Sequence, residues 1–182
     1  MVLRASMAAT SSRDDDAALV GRARLGDATA FDQLYLRYRD RVYALCSSLC
    51  ADHDEARDLL QETFVNAWRG LPRFAGRCAF TTWLHRIAVN VCRGAARRRR
   101  WPIEAHLNGP SPDHLMTQYV RAVLATLQPN HRIILALRYS QSLSYQEIAD
   151  CLGWSLPRVR VTLHRARRAF REAYSSADEE KK

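Results

Sequence analysis

The sequence predicts an all-α protein of two small helical domains joined by a short linker. Apolar residues recur at three- and four-residue spacing in nearly every stretch between turn signals, the period of helices with one buried face. No β-alternation of useful length occurs anywhere in the chain. Trp101 to Asp113 (WPIEAHLNGPSPD) holds three prolines, one glycine and no period, which marks a linker.

In chain order, residues 1–16 are small, polar and acidic and predict a disordered tail. A helical pattern starts at Asp16, with Ala18, Leu19, Ala23 and Leu25 apolar, and stops at Gly26-Asp27. Asp27 to Cys50 is a longer helix or a pair, carried by Phe31, Leu34, Tyr35, Tyr38, Val42, Leu45 and Leu49. Asp52 to Asp54 form a polar corner before a helix from Glu55 to Trp68. There Ala56, Leu60, Phe64 and Ala67 face inward, and Asp58, Gln61, Glu62 and Val65 face the other way. That acidic face stands out in a basic protein. It is either solubilising surface or a docking face for a positive partner, and periodicity alone does not choose.

Gly70 and Pro72 end this helix, and LPRFAGRCAF reads as a loop. Thr81 to Arg100 is the next helix, with Trp83, Leu84, Ile87, Ala88 and Val91 on its apolar side. It finishes in RGAARRRR, where arginines also suit the negative end of a helix dipole. Beyond the linker, His114 to Leu127 is helical, Pro129 opens a helix near its first position, and Arg132 to Tyr139 leads into the final pair. The last residues, 176–182, are a polar tail.

The final pair is Gln141 to Tyr174. Ile148, Ala149 and Leu152 mark a short helix behind Ser144, and Glu147 completes a capping-box pattern. Gly153 and Trp154 interrupt it. Ser155 is placed to cap a second helix that tolerates Pro157 in its first turn. Val159, Leu163, Ala166 and Phe170 form one apolar stripe of that helix. Arg160, His164, Arg167 and Arg171 share another face, and Arg158, Arg165 and Arg168 add charge. A short helix, a Gly-containing turn and a longer basic helix describe a helix-turn-helix, whose second helix enters the DNA major groove. A solvated arginine-rich helix of an ordinary bundle is the plainer reading, but so little acid accompanies these arginines that DNA binding is favoured.

The chain has 182 residues, a net charge of +9 and a pI near 9.8, and after Met1 its only lysines are Lys181 and Lys182. An arginine-dominated surface favours phosphate backbones or acidic partners. No apolar run approaches the roughly 20 residues that span a bilayer, and the N-terminus lacks the apolar core of a secretory signal. These observations predict a soluble, cytoplasmic protein without membrane insertion. Five cysteines, an odd and irregularly spaced set, exclude a disulfide framework. Cys46, Cys50 and His53 are spaced to share one helix face, as a metal or redox site or simply as small residues packing inward; no fourth ligand follows, so no metal or other cofactor is assigned. No Gly-rich phosphate loop or supported nucleophile-base set points to an enzyme.

Two longer stretches add a resemblance. DEARDLLQETFVNAWRGLPRF followed by FTTWLHRIAVNVCRG resembles region 2 of the extracytoplasmic-function (ECF) sigma factors, small initiation factors of the sigma-70 type. LATLQPNHRIILALRYSQSLSYQEIADCLGWSLPRVRVTLHRARRAF resembles their region 4. The likeness covers about residues 17–174 and implies region 2 over 17–100, the linker over 101–113 and region 4 over 114–175. The partners it implies are core RNA polymerase (through its β′ clamp helices and β flap), promoter DNA and an anti-sigma factor.

Residue by residue, the resemblance places Asp58, Gln61 and Glu62 on the polymerase. It places Phe74, Arg77, Trp83, Arg86, Asn90, Arg93 and Arg97 on the −10 element, where an unstacked base is caught at a cost of a few kcal/mol. Arg93 and Arg97 to Arg100 suit phosphates, and Trp83 and Phe80 have core packing as their competing role. For the −35 element it implies Arg138, Ser144, Tyr145, Arg158, Arg160, Val161, His164, Arg165 and Arg167. Arg160 and Arg165 suit bidentate bonds to guanine edges. The chain departs from the family's usual pattern at Pro157, Val161 and Thr162, so its −35 preference does not carry over. The expected function is promoter-specific initiation; the alternative is an autonomous helix-turn-helix regulator, which needs a dimer for half-site spacing.

Overall fold

The computed structural model describes residues 15–50, 52–99 and 112–179, and within them every regular element is helical. The elements are α1 (15–24), α2 (Ala28–Leu49), α3 (His53–Gly70), a 3-10 turn (Leu71–Arg73), α4 (Phe80–Arg99), α5 (Pro112–Thr126), α6 (Pro129–Leu135), a π-helical segment (Ala136–Ser140), α7 (Tyr145–Leu152) and α8 (Leu156–Glu179).

Helices α2, α3 and α4 pack on one another, and α1 adds Leu19, Val20 and Ala23 to their core. α2 and α3 each start where a side chain accepts an orphan N–H of the first turn. Asp27 takes the Ala30 N–H at 3.0 Å, and Asp52 takes the Glu55 N–H at 2.7 Å. The interior holds Leu34, Val42, Leu45, Leu71 and Leu84, fully buried aliphatics each contributing about 1.5–3 kcal/mol on leaving water. In the second group α5, α6 and α7 all pack on α8, closing over Ile134, Leu137, Ile148, Val159 and Leu163.

The two groups also pack against each other, through α4 on α7 and through α2 on the π-helical segment and α6. One continuous apolar cluster runs through both. At the joint the Arg86 guanidinium donates to the Asp150 carbonyl, and Arg93 donates to Asn130 Oδ1 at 3.3 Å.

Several expected boundaries move. Asp15 and Asp16 belong to α1 rather than to the tail, and Asp16 accepts bonds from Arg37 and the Tyr38 hydroxyl of α2. α2 is one helix. α3 begins at His53, inside the expected polar corner, because Asp52 is its cap. α4 begins at Phe80 and α5 at Pro112, the position where proline's missing N–H costs nothing. α8 runs on to Glu179, since no Gly or Pro stops it. The expected tail over 1–14, linker over 101–111, Arg100 and residues 180–182 lie outside the described residues.

Cys46, Cys50 and His53 do not share a helix face. α2 ends at Leu49, Cys50 is extended (ψ 175°), and His53 opens α3, its Nδ1 2.9 Å from the Tyr43 hydroxyl. A periodic pattern read across a helix end places side chains that the chain reversal then separates. Cys46 instead meets Cys92 of α4, with sulfurs 3.9 Å apart and both buried. Burial pushes the Cys50 thiol up to about 12, a poor setting for a reactive thiolate. Among the described residues no three His, Cys, Asp or Glu side chains converge as metal ligands.

Candidate nucleic-acid and polymerase interfaces

The turn between α7 and α8 follows from local chemistry. Ser144 and Glu147 form a reciprocal capping box: the Glu147 N–H donates to Ser144 Oγ at 3.2 Å, and the Ser144 N–H donates to the Glu147 carboxylate at 2.8 Å. α7 ends at Gly153 in the left-handed region (φ 65°), and the Trp154 N–H closes on the Ala149 carbonyl at 3.0 Å. Ser155 accepts the Arg158 N–H at 3.4 Å, a long capping contact. Val159, Leu163 and Ala166 are buried against α6 and α7. That orientation leaves Arg158, Arg160, Val161, His164 and Arg165 exposed on the opposite side of α8.

Three arginines on or beside this face lie against aromatic rings. Arg158 lies 4.2 Å from the centre of the Trp154 ring, an attraction between cation and ring face. Arg138 lies 5.4 Å from the Tyr145 ring centre and donates to the Leu143 carbonyl at 2.8 Å. Arg167 donates from Nε to the Tyr139 hydroxyl at 2.7 Å. The fold thus brings Arg138, Tyr145 and Arg167 together from three elements, with Tyr139 among them.

On α3, Asp58 and Gln61 are exposed, and Glu62 is half-buried with Arg98 of α4 3.5 Å from its carboxylate. Beside this polar row lies a largely apolar hollow of about 700 Å³ between α2 and α3, lined by Phe31, Tyr35, Leu60, Phe64 and Trp68 together with Arg57, Gln61 and Arg69. Phe31 and Trp68 have ring centres 4.9 Å apart, and Val65 and Trp68 remain 41% and 37% exposed. Large apolar side chains exposed beside acids and an amide are the composition of a protein-binding patch. Sequence reasoning found the polar row but missed Phe31, Tyr35 and Trp68, whose meeting depends on how α2 packs on α3.

The remaining candidates lie around the loop before α4. Phe74 is buried and packs on Trp83 and Phe80, with ring centres 4.9 and 6.2 Å away. Phe80 is buried too, and Trp83 is half-buried against Gly70, where a Cβ would come within 3.2 Å of its ring. These aromatics shape the loop. Arg77, Asn90 and Arg97 are exposed, whereas Arg86 and Arg93 are engaged at the joint, with burial lowering the Arg93 pKa.

Behind the loop a cavity of about 590 Å³ separates the two helical groups and is lined by Arg41, Phe74, His85, Gln141 and Glu147 among others. His85 is 3% exposed and its Nδ1 has no hydrogen-bond partner. Burial, reinforced by Arg41, pushes its pKa down to about 4, against opposing pulls from Gln141 and Glu147. The inward turn of α4 buries His85.

Comparison with known proteins fits this geometry. The family model for sigma-70 region 2 matches residues 34–102, and that for sigma-70 region 4 matches residues 123–172. The chain is 33% identical to the RNA polymerase sigma-H factor of Pseudomonas aeruginosa, over 89% of this chain and 95% of that one. It is 35% identical to the ECF RNA polymerase sigma-E factor of Escherichia coli K12, over 85% and 92%. Among solved structures, CnrH in complex with the cytosolic domain of CnrY matches with a TM-score of 0.74 at 26% identity, covering 89% of this chain and 98% of that one. The chain belongs to the ECF group of the sigma-70 family of RNA polymerase sigma factors.

Proposed function

We propose that this protein is a promoter-specificity subunit: it binds core RNA polymerase and directs initiation by recognising −10 and −35 elements. The observation that carries this reading is the coexistence, in one chain, of a basic helix-turn-helix face and a separate acidic and apolar face. An autonomous regulator needs the first and has no use for the second.

In this reading, region 2 spans 17–100 and region 4 spans 114–175, with 101–113 between them. Asp58, Gln61 and Glu62, with the apolar hollow beside them, dock on the polymerase β′ clamp helices, and region 4 also meets the β flap. On α8, Arg160, Val161, His164 and Arg165 meet base edges in the major groove. Arg138, Ser144, Tyr145, Arg158 and Arg167 support them against backbone and flanking positions. Arg77, Asn90 and Arg97, with Arg86 and Arg93 once freed from the joint, address the −10 element over the platform of Phe74 and Trp83. The polymerase supplies the chemistry, so the chain needs no catalytic residue or cofactor.

Simultaneous contact with two separated elements requires the two helical groups to part, because α4 and α7 face each other in the packed arrangement. A regulator that holds them together keeps the factor silent. We infer an anti-sigma factor for that role and a cytoplasmic location; no helix among the described residues is long and apolar enough to cross a membrane.

The test is transcription in vitro with purified core polymerase on a fragmented genomic library, with and without the chain. New start sites sharing paired −10 and −35 boxes are expected. Duplex binding by the chain alone, with no polymerase-dependent start sites, would replace this reading with an autonomous regulator.

A further inference from the structure

Tyr139 is an exposed aromatic residue with no packing reason for its place. It is 59% exposed, on the π-helical segment that links α6 to the turn before α7. A π-turn carries one more residue than an α-turn and redirects the side chains on it; such turns cluster at functional sites. Here the i+5 bond, from the Gln141 N–H to the Ala136 carbonyl, is 3.1 Å. Arg138 points to the Leu143 carbonyl, and its neighbour Tyr139 points to α8.

There the Tyr139 hydroxyl accepts the Nε–H of Arg167, 28 residues along the chain, at 2.7 Å, and the guanidinium carbon lies 5.7 Å from the ring centre. Tyr145 stands close to the same guanidinium. Such a bond uses one of arginine's five N–H donors and fixes the plane of the other four. An arginine side chain carries about 2 kcal/mol of rotamer entropy, so holding it before a ligand arrives lowers the cost of binding. Arg167 sits about three turns along α8, past the N-terminal part that meets base edges, where a helix-turn-helix runs beside the phosphate backbone.

We propose that Tyr139 is a positioning residue that holds Arg167 for a DNA phosphate through its hydroxyl. The proposal rests on the reading that α8 faces duplex DNA. It adds a residue outside the helix-turn-helix to the machinery of promoter binding.

A double-mutant cycle tests it, with the full chain, a mixed-sequence DNA duplex and a series of salt concentrations. Tyr139→Phe keeps the ring and removes the acceptor, and exposure of the site leaves thermal melting unchanged. It should weaken binding about threefold to tenfold, the range for losing a typical hydrogen bond. Arg167→Ala should weaken binding and lower the salt slope by about one unit. Tyr139→Phe on top of Arg167→Ala should then add nothing.

A Tyr139→Phe chain that binds like the parent overturns the proposal while leaving the DNA face intact. So does an equal loss from Tyr139→Phe in the Arg167→Ala background, because Tyr139 then acts on its own. If Arg167→Ala changes neither affinity nor slope, Arg167 is no phosphate contact and the proposal falls with it. Failure of the parent chain to bind duplex at any salt would overturn the DNA-facing reading of α8 as well.

Discussion

Glu62 of α3 and Arg98 of α4 face each other across 3.5 Å, joining the acidic row to the arginine-rich end of α4. With the two side chains 43% and 65% exposed, solvent screens the pair and it contributes little to stability, between about 0 and 1 kcal/mol. Its interest is electrostatic: a carboxylate assigned to the polymerase is partly neutralised by a cation assigned to DNA until one of them is engaged.

Replacing Asp58, Gln61 and Glu62 together by Ala should abolish binding to core polymerase and leave the fold intact. Asp58 and Gln61 are exposed and Glu62 is only half-buried, so the stability change should stay near 0.5 kcal/mol per site. Binding to labelled core polymerase and a thermal melt of the same sample check both halves. Unchanged affinity removes these residues from the docking face.

Stability should depend on pH through His85. Its pKa is lowered from 6.5 to about 4 in the folded protein, mainly by burial. Above about pH 6.5 the ring is neutral folded or unfolded, and its contribution is complete. Between about pH 6.5 and 4 the unfolded chain takes up the proton first, so stability falls by about 3 kcal/mol over that window. Arg41 of α2 and Glu147 of α7 act on the ring, and Asp16 and Arg24 of α1 also line its cavity. Denaturant titrations of the parent and His85→Gln chains across this window separate the histidine from those groups; parallel curves would assign the dependence elsewhere.

The cap of α7 gives a third expectation. Gly153 has φ 65°, and a Cβ there would meet nothing within 4 Å. The cost of Gly153→Ala is therefore backbone strain alone, about 1–2 kcal/mol. Ser144→Ala should cost about 1 kcal/mol by removing the capping box. Chemical denaturation of each variant reads these values directly. A larger loss at Gly153 would mean that the α7–α8 angle itself had shifted.

Most of this architecture is legible from local chemistry. The Ser144 box, the Gly153 break and the stripe from Val159 to Phe170 are all contained in one stretch of chain, so the helix-turn-helix can be read before any fold is known. What escapes is what depends on two distant stretches meeting. Tyr139 has no signal of its own, since its role requires Arg167 and an unannounced π-turn. Phe31 and Tyr35 look like ordinary core until Trp68 turns out beside them at the surface. Phe74 shows the converse: the resemblance places it on the −10 element, and its packing against Phe80 and Trp83, which buries it, depends on how the loop folds onto α4.

Base recognition by α8 gives the last expectation. Arg165 is exposed in the second half of the group formed by Arg158, Arg160, Val161, His164 and Arg165, on the side opposite the buried Leu163. If its guanidinium meets a guanine edge, Arg165→Ala should relax the preference at one −35 position by about 1–3 kcal/mol and leave the others unchanged. If it meets a phosphate, the same substitution should weaken all −35 variants equally and lower the salt slope by about one unit. Competition binding of a −35 library to the reconstituted polymerase distinguishes the two, because only a base contact changes the rank order of sequences. Val161, 51% exposed between Arg160 and Thr162, can offer only an apolar contact such as a thymine methyl. Val161→Ala should therefore weaken one A·T position, by less than the Arg165 effect and with no change in salt slope.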